Sequence, residues 1–198
     1  MMRKIERQPN GDGRFVPGQD LVVAGSIGKA GVRAAVENQR DFLTARFSSA
    51  FIEKIEEALE ESCNLTPEQL ASCGASEWEP VGEGGILAAL WNISGAYQRG
   101  ITFSLLDMPV RQELIEVCEL FDLNPYRLRS DACILLVTDH GPDLVSRLKE
   151  LGIHASVIGK VVRGIARTMT GVGGTGYLER PQPDEIYKVL GQDAKKLL

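Results

Sequence analysis

The chain has 198 residues, of which 43% are hydrophobic and 25% charged, a composition that fits one ordinary globular domain with a short arm and excludes a disordered chain or a coiled coil. Lys and Arg number 22 against 27 Asp and Glu, a net charge of -5, which disfavours a nucleic-acid partner because phosphates need cationic neutralisation. No apolar run reaches the roughly 18 residues that cross a bilayer, and the basic start MMRKIERQPNGDGRF has no apolar segment typical of a signal peptide, so a cytoplasmic protein without a membrane partner is expected.

The first predicted element is the apolar run Leu21-Val22-Val23-Ala24, a buried strand, after which Gly25, Gly28 and Gly31 turn the chain into a helix. Strand, glycine turn and helix in that order resemble a phosphate-binding start. The GxxGxxG spacing, however, matches neither the dinucleotide fingerprint nor the P-loop, and glycines serving a tight turn and close helix packing are the simpler reading. From Ser48 to Glu61, Phe51, Ile55, Ala58 and Leu59 recur at helical spacing, with Glu53, Glu56, Glu57, Glu60 and Glu61 on the other faces; this is an amphipathic helix with a solvated acidic side. Thr66-Pro67-Glu68-Gln69 starts a short helix with a cap residue, Pro at the first position and Gln three residues past the cap.

Gly82-Glu83-Gly84-Gly85 then leads into a helix whose face carries Ile86, Leu87, Leu90, Trp91, Ile93 and Tyr97. Free amides at a glycine-led helix start favour an anion, and tight packing against a sheet is the competing explanation. A strand over 101–106 follows. Next come a helix with Val110, Leu114, Val117, Cys118 and Phe121 on one stripe and a strand over 132–138. Asp139-His140-Gly141-Pro142 turns into a helix with Leu144, Val145, Leu148 and Leu151, and 155–162 forms another strand. TGVGGTGYL, near Thr170, is a hairpin loop or a mobile segment, and a short helix with Ile186, Tyr187 and Val189 closes the chain. The order is mixed α/β.

Four cysteines, Cys63, Cys73, Cys118 and Cys133, are too widely spaced for a metal knuckle, and no zinc site is expected. Cys118 and Cys133 read as small buried hydrophobes; Cys63 and Cys73 flank a polar connection that leaves a disulfide or a reactive thiol open, with free thiols favoured in a reducing compartment. His140 is expected to cap the helix it precedes and His154 to be structural, and no GxSxG nucleophile elbow is present.

The ordered elements from Gly82 to Lys160 (GEGGILAALWNIS, then ITFSLLDMPVRQELIEVCELFDLNPYRLRSDACILLVT, then ELGIHASVIGKVV) resemble the C-terminal domain of the aminoimidazole ribonucleotide (AIR) synthetase superfamily. That superfamily includes selenophosphate synthetase, thiamine monophosphate kinase and a hydrogenase maturation factor. VPGQDLVVAGSIGKAGVRAAV upstream and RPQPDEIYKVL at the end are similar to the maturation-factor branch, so the resemblance covers about residues 16 to 190. It implies a mixed β-sheet flanked by helices, here with an arm over 1–20 that packs on a partner and a domain over 21–198.

Full-length members of the superfamily carry a further N-terminal domain that dimerises into a barrel and supplies the acidic magnesium ligands and most of the ATP site. The resemblance implies that this half is absent here, and the ending Ala194-Lys195-Lys196-Leu197-Leu198 lacks the cysteine tail of the maturation factor, so cyanide-ligand synthesis by this chain alone is not expected. Carried over by position, the cofactor-binding candidates are Gly82, Glu83, Gly84 and Gly85, whose backbone faces a nucleotide or phosphate, together with Arg111. Ser130 and Asp131 lie on matching segments. Glu83 replaces the arginine or threonine of other branches and repels an anion. The expected function is a ligand-binding or interaction module that self-associates or complements a separate ATP-binding subunit, with ATP or phosphate as ligand and magnesium only alongside the partner. The alternative is a degenerate ATP-dependent phosphotransferase or ligase with Glu53, Glu56 or Glu83 as metal ligands.

Overall fold

The computed structural model describes residues 8–191. Seven strands, β1 (Asp20–Ala24), β2 (Ala75–Val81), β3 (Gly100–Ser104), β4 (Cys133–Thr138), β5 (Ala155–Val162), β6 (Arg167–Gly171) and β7 (Gly174–Tyr177), form one sheet in the order β2-β4-β1-β5-β3-β6-β7. All neighbours are antiparallel except β3 and β6. The predicted mixed sheet with flanking helices is therefore the observed architecture.

β1 lies inside the sheet between β4 and β5 and is buried along its whole length, which explains its unbroken apolar run: a strand covered on both faces has no polar side to show. Leu21 and Val23 join Leu135, Val137, Ile101 and Val161 on the face packed by α5 (Gly85–Tyr97). Val22 and Ala24 join Leu136, Leu70, Leu144 and Leu148 on the other face, under α4 (Pro67–Ser72) and α7 (Gly141–Glu150). A third core, built on Val32, Ala35, Ile55, Leu114, Val117 and Leu128, joins α1 (Lys29–Asn38), α3 (Ser49–Glu60) and α6 (Gln112–Leu120). The cap predicted at Thr66 is a full capping box, with Gln69 N–H donating to Thr66 Oγ1 (3.3 Å) and Thr66 N–H to Gln69 Oε1 (2.9 Å).

Three elements were not legible in the sequence. β2 reads ASEWEPV, and its two glutamates and proline suggest a loop. It forms because Glu77, fully buried, accepts hydrogen bonds from Asn10 N–H, Gly11 N–H, Trp78 N–H and Tyr97 Oη–H, and because Pro80 lies on an edge strand, where proline is tolerated. The short α2 (Arg40–Thr44) and the 3-10 turn Pro125–Arg127 are the others. The strand expected over 101–106 ends at Ser104, leaving Leu106 exposed. The TGVGGTGYL stretch resolves as the β6–β7 hairpin.

The arm does not wait for a partner in its described part. Asp12 N–H donates to Ser76 O (2.8 Å), Asn10 Nδ2 to Trp78 O (2.8 Å), and Phe15 is buried with its ring stacked on Tyr97. These contacts cover the β2 edge, which removes an unpaired row of backbone groups from water. Residues 1–7 of the arm and the Ala194–Leu198 ending lie outside the described residues. No helix among the described residues is long and apolar enough to cross a membrane.

Candidate functional site

Two glycine turns deliver two helix starts to opposite sides of one segment, Pro125–Ser130. Gly84 and Gly85, at φ of 78° and 65°, turn β2 into α5. A Cβ on Gly85 would lie 2.6 Å from Tyr126 O and 2.8 Å from Leu128 O, so only glycine fits this backbone. On the other side Gly28, at φ 75°, begins α1; a Cβ on Gly28 would lie 3.3 Å from Pro125 O, and one on Gly31 2.3 Å from Leu128 Cγ. The packing explanation for both glycine sets is thus correct for Gly31 and Gly85, whose missing side chains make room for Leu128. Ser130, fully buried, ties the α1 turn to the segment: Gly28 N–H donates to its Oγ (2.6 Å), which donates in turn to Leu128 O (2.8 Å).

The electrostatics of the two sides differ. At α5, Gly84 N–H donates to Oδ2 of Asp184 (2.7 Å), whose Oδ1 accepts from Ile186 N–H (3.0 Å) and Arg129 N–H (3.3 Å). Asp184 is 3% exposed, and burial raises its carboxyl above the ordinary value, outweighing the lowering by its three backbone donors. The chain thus brings its own carboxylate, 100 residues away in sequence, to the turn where an anion was expected. Glu83 Oε1 accepts from Tyr187 Oη–H (2.9 Å), and Asp131, whose role the sequence left open, pairs with Arg129 (2.6 Å).

At α1 both signs meet: Lys29, Arg33 and Arg111 stand among Glu57, Glu60, Glu61 and Glu113. Lys29 is 4% exposed and its Nζ is buried with no hydrogen-bond partner among the described residues. Burial lowers its ammonium below the ordinary lysine value, partly opposed by Glu61. Arg111, at the start of α6, pairs with Glu61 and with Glu113 (3.3 Å), and Arg111 and Glu61 both act electrostatically on Lys29. Arg111 therefore belongs with the α1 turn. A cleft of about 190 Å³ opens beside this group, lined by Gly25, Ser26, Glu61, Ser62, Ala132 and His154.

The remaining candidates are dispersed. Glu56 pairs with Arg40 (2.8 Å), Glu53 is exposed on α3, and Glu83 is at α5; no three His, Cys, Asp or Glu side chains among the described residues are grouped to hold a metal. All four cysteines are free and buried, and burial pushes the thiols of Cys63 and Cys118 up to about 11 and about 12. His140 precedes α7 without a side-chain cap; Asp20 Oδ2 accepts the Gly141 N–H instead (2.8 Å). His154 is exposed at the cleft, with its carbonyl accepting from Gly25 N–H (2.9 Å). Sequence reasoning missed Asp184 and Lys29. A lone aspartate in a proline-rich tail and a lysine after a glycine carry no periodic signal.

Fold comparison places this arrangement. The chain superposes on Escherichia coli HypE with a TM-score of 0.69 at 21% identity, covering 90% of this chain and 55% of that one. The chain has the AIR synthetase C-terminal-domain fold. A HypE structure in complex with ATP gives 0.68 at 21% identity over 89% and 55%. Thiamine-monophosphate kinase from Stenotrophomonas maltophilia K279a gives 0.60 at 17% identity over 81% and 52%. The chain thus spans about half the length of these relatives. No protein-family model matches the sequence, and no curated protein matches it.

Proposed function

We propose that this AIR synthetase-type domain is a ligand-binding and interaction module, forming one wall of a phosphate or nucleotide site that a separate ATP-binding domain, or a second copy, completes. The observation that carries this reading is the asymmetric match: 90% of this chain against 55% of HypE. Solved relatives include HypE with ATP and a HypE–HypF complex, which supports both a nucleotide and a protein partner. A cleft with one wall buries little of a ligand and binds it weakly.

The phosphate-facing candidates are divided between the two turns: the backbone of Gly82, Glu83, Gly84 and Gly85 at α5, and the guanidinium of Arg111, with Lys29 in its electrostatic reach, at α1. An oxyanion at Gly84 would meet Asp184 and Glu83, and one at Arg111 would compete with Glu61 and Glu113, so like-charge repulsion weakens binding on both sides of this chain alone. Magnesium is expected to enter with the partner's carboxylates.

The test is calorimetric titration of the purified chain with ATP and magnesium, alone and with an added ATP-binding domain of the HypE type, alongside a phosphate-release assay. The chain alone should bind weakly and release no phosphate, and R111Q should weaken binding in the mixture. Magnesium-dependent ATP hydrolysis by the chain alone would refute this function and favour the free-standing phosphotransferase.

A further inference from the structure

Away from the glycine turns, three arginines gather where β3, β5 and β6 end together. Gly100 pairs with Val162 at the end of the β3–β5 ladder, with Arg99 and Arg163 the next residues beyond it, and Ile101 pairs with Arg167 in the β3–β6 ladder. The β5–β6 connection is tied to the same place: Gly100 N–H donates to Gly164 O (2.7 Å) and Ile101 N–H to Ala166 O (3.0 Å). Ile101 and Arg167, side by side in the parallel ladder, share the sheet face packed by α5, and Arg99 and Arg163 lie in the connections just outside the strands at the same end.

Arg14, Arg33, Arg40, Arg111, Arg127 and Arg129 each meet a carboxylate; among the described residues Arg46, Arg99, Arg147, Arg163, Arg167 and Arg180 meet none, and of these only Arg99, Arg163 and Arg167 gather at one end of the sheet. Arg99 and Arg163 are exposed. Arg167 is held, with its guanidinium carbon 4.2 Å from the Trp91 ring centroid and its Nε buried without a partner among the described residues. Glu179, two residues past Tyr177, turns to Arg127 instead (2.9 Å). The C-terminal turn of α5 borders Arg167 at Gly95, and its carbonyl ends offset about half an elementary charge, which leaves most of the positive charge unanswered. Ile165, in the β5–β6 connection, is 73% exposed beside the cluster.

We propose that Arg99, Arg163 and Arg167 bind a multivalent oxyanion of the pyrophosphate class, either free or carried on a larger molecule such as a nucleoside diphosphate. A monocarboxylate answers one guanidinium, whereas a pyrophosphate group offers enough oxygens to engage all three planar forks. Arg167, fixed by its stacking on Trp91, loses little side-chain freedom on binding. Ile165 supplies an apolar shoulder for an organic moiety. This site is separate from the glycine turns, because it lies toward the other end of α5, roughly 15–20 Å along the helix.

The experiment is calorimetric titration of the full chain at low salt with inorganic pyrophosphate, ADP and orthophosphate. Pyrophosphate or ADP should bind at one site, with orthophosphate at least about tenfold weaker, and both R167Q and the exposed double variant R99Q/R163Q should weaken binding about tenfold or more. R46Q, at an arginine stacked on Phe42 instead, should bind like the wild type. Pyrophosphate binding tighter than ADP identifies a free anion, and the reverse identifies a carried one. No detectable binding of either, or equal affinity in R99Q/R163Q, overturns the proposal. Loss of ADP binding in R111Q but not in R99Q/R163Q would sink this site while leaving the proposed function standing.

Discussion

Replacing Asp184 by Ala removes the carboxylate that joins the tail to the α5 start and to Arg129. Three backbone donors, Gly84, Arg129 and Ile186, lose their acceptor in a place 3% exposed. Each hydrogen bond to a charged group contributes about 1.5–3 kcal/mol net, but release from burying the charge returns part of this sum, so about 3 kcal/mol of stability should go. For a domain of this size that lowers Tm by about 6–12 °C, measurable by thermal unfolding followed by circular dichroism. Titration adds a signed check with D184N. The folded carboxyl titrates above its unfolded value of 3.8 because it is buried, so the native state holds the proton longer than the unfolded chain. This group's contribution is therefore most favourable below 3.8 and declines as pH rises through the folded value, whereas D184N shows no such decline. D184A within about 1 kcal/mol of the wild type, a loss smaller than one charged hydrogen bond, would refute the assignment of Asp184 as the group that holds the α5 start.

Lys29→Met should raise stability by about 1–3 kcal/mol, since it replaces a buried, unpartnered ammonium by an apolar side chain of similar length; urea unfolding checks this. Burial lowers the folded pKa of Lys29 below 10.5, so the wild type gains stability as pH rises from the folded value toward 10.5 and K29M lacks that gain. Gly85→Ala should cost about 2–4 kcal/mol, because its left-handed backbone and the 2.6 Å approach to Tyr126 O both exclude a Cβ; a midpoint equal to the wild type would show that the turn rearranges freely. Cys63, with its thiol pushed up to about 11, is about one part in a thousand thiolate at pH 8, so a disulfide reagent should label it far more slowly in the native than in the unfolded chain. Rapid labelling of native Cys63 would show that the α3–α4 connection opens.

Much of the sheet and most helices were legible because burial periodicity is a local property. The run Leu21–Ala24 and the Ile55-Ala58-Leu59 spacing each state which side of an element is covered, and the Thr66–Gln69 cap is written within four residues. β2 was not legible, because Glu77 becomes acceptable inside only when Asn10, Gly11 and Tyr97 arrive from elsewhere with their donors. The tail helix was read from Ile186 and Tyr187, but the reach of Asp184 to Gly84 was not.

The candidate site divides in the same way. Glycine at 28, 31, 84 and 85 announced two special turns from sequence alone, since no other residue supplies that backbone freedom at so little steric cost. Whether a turn keeps its amides for a ligand or gives them to its own chain depends on which charges long-range packing brings beside it. Only the tertiary structure set Asp184 against one helix start, Lys29 and Arg111 at the other, and three unpaired arginines at the far end of the sheet. Coulomb interactions act through space between residues far apart in the chain, and no local pattern encodes that proximity.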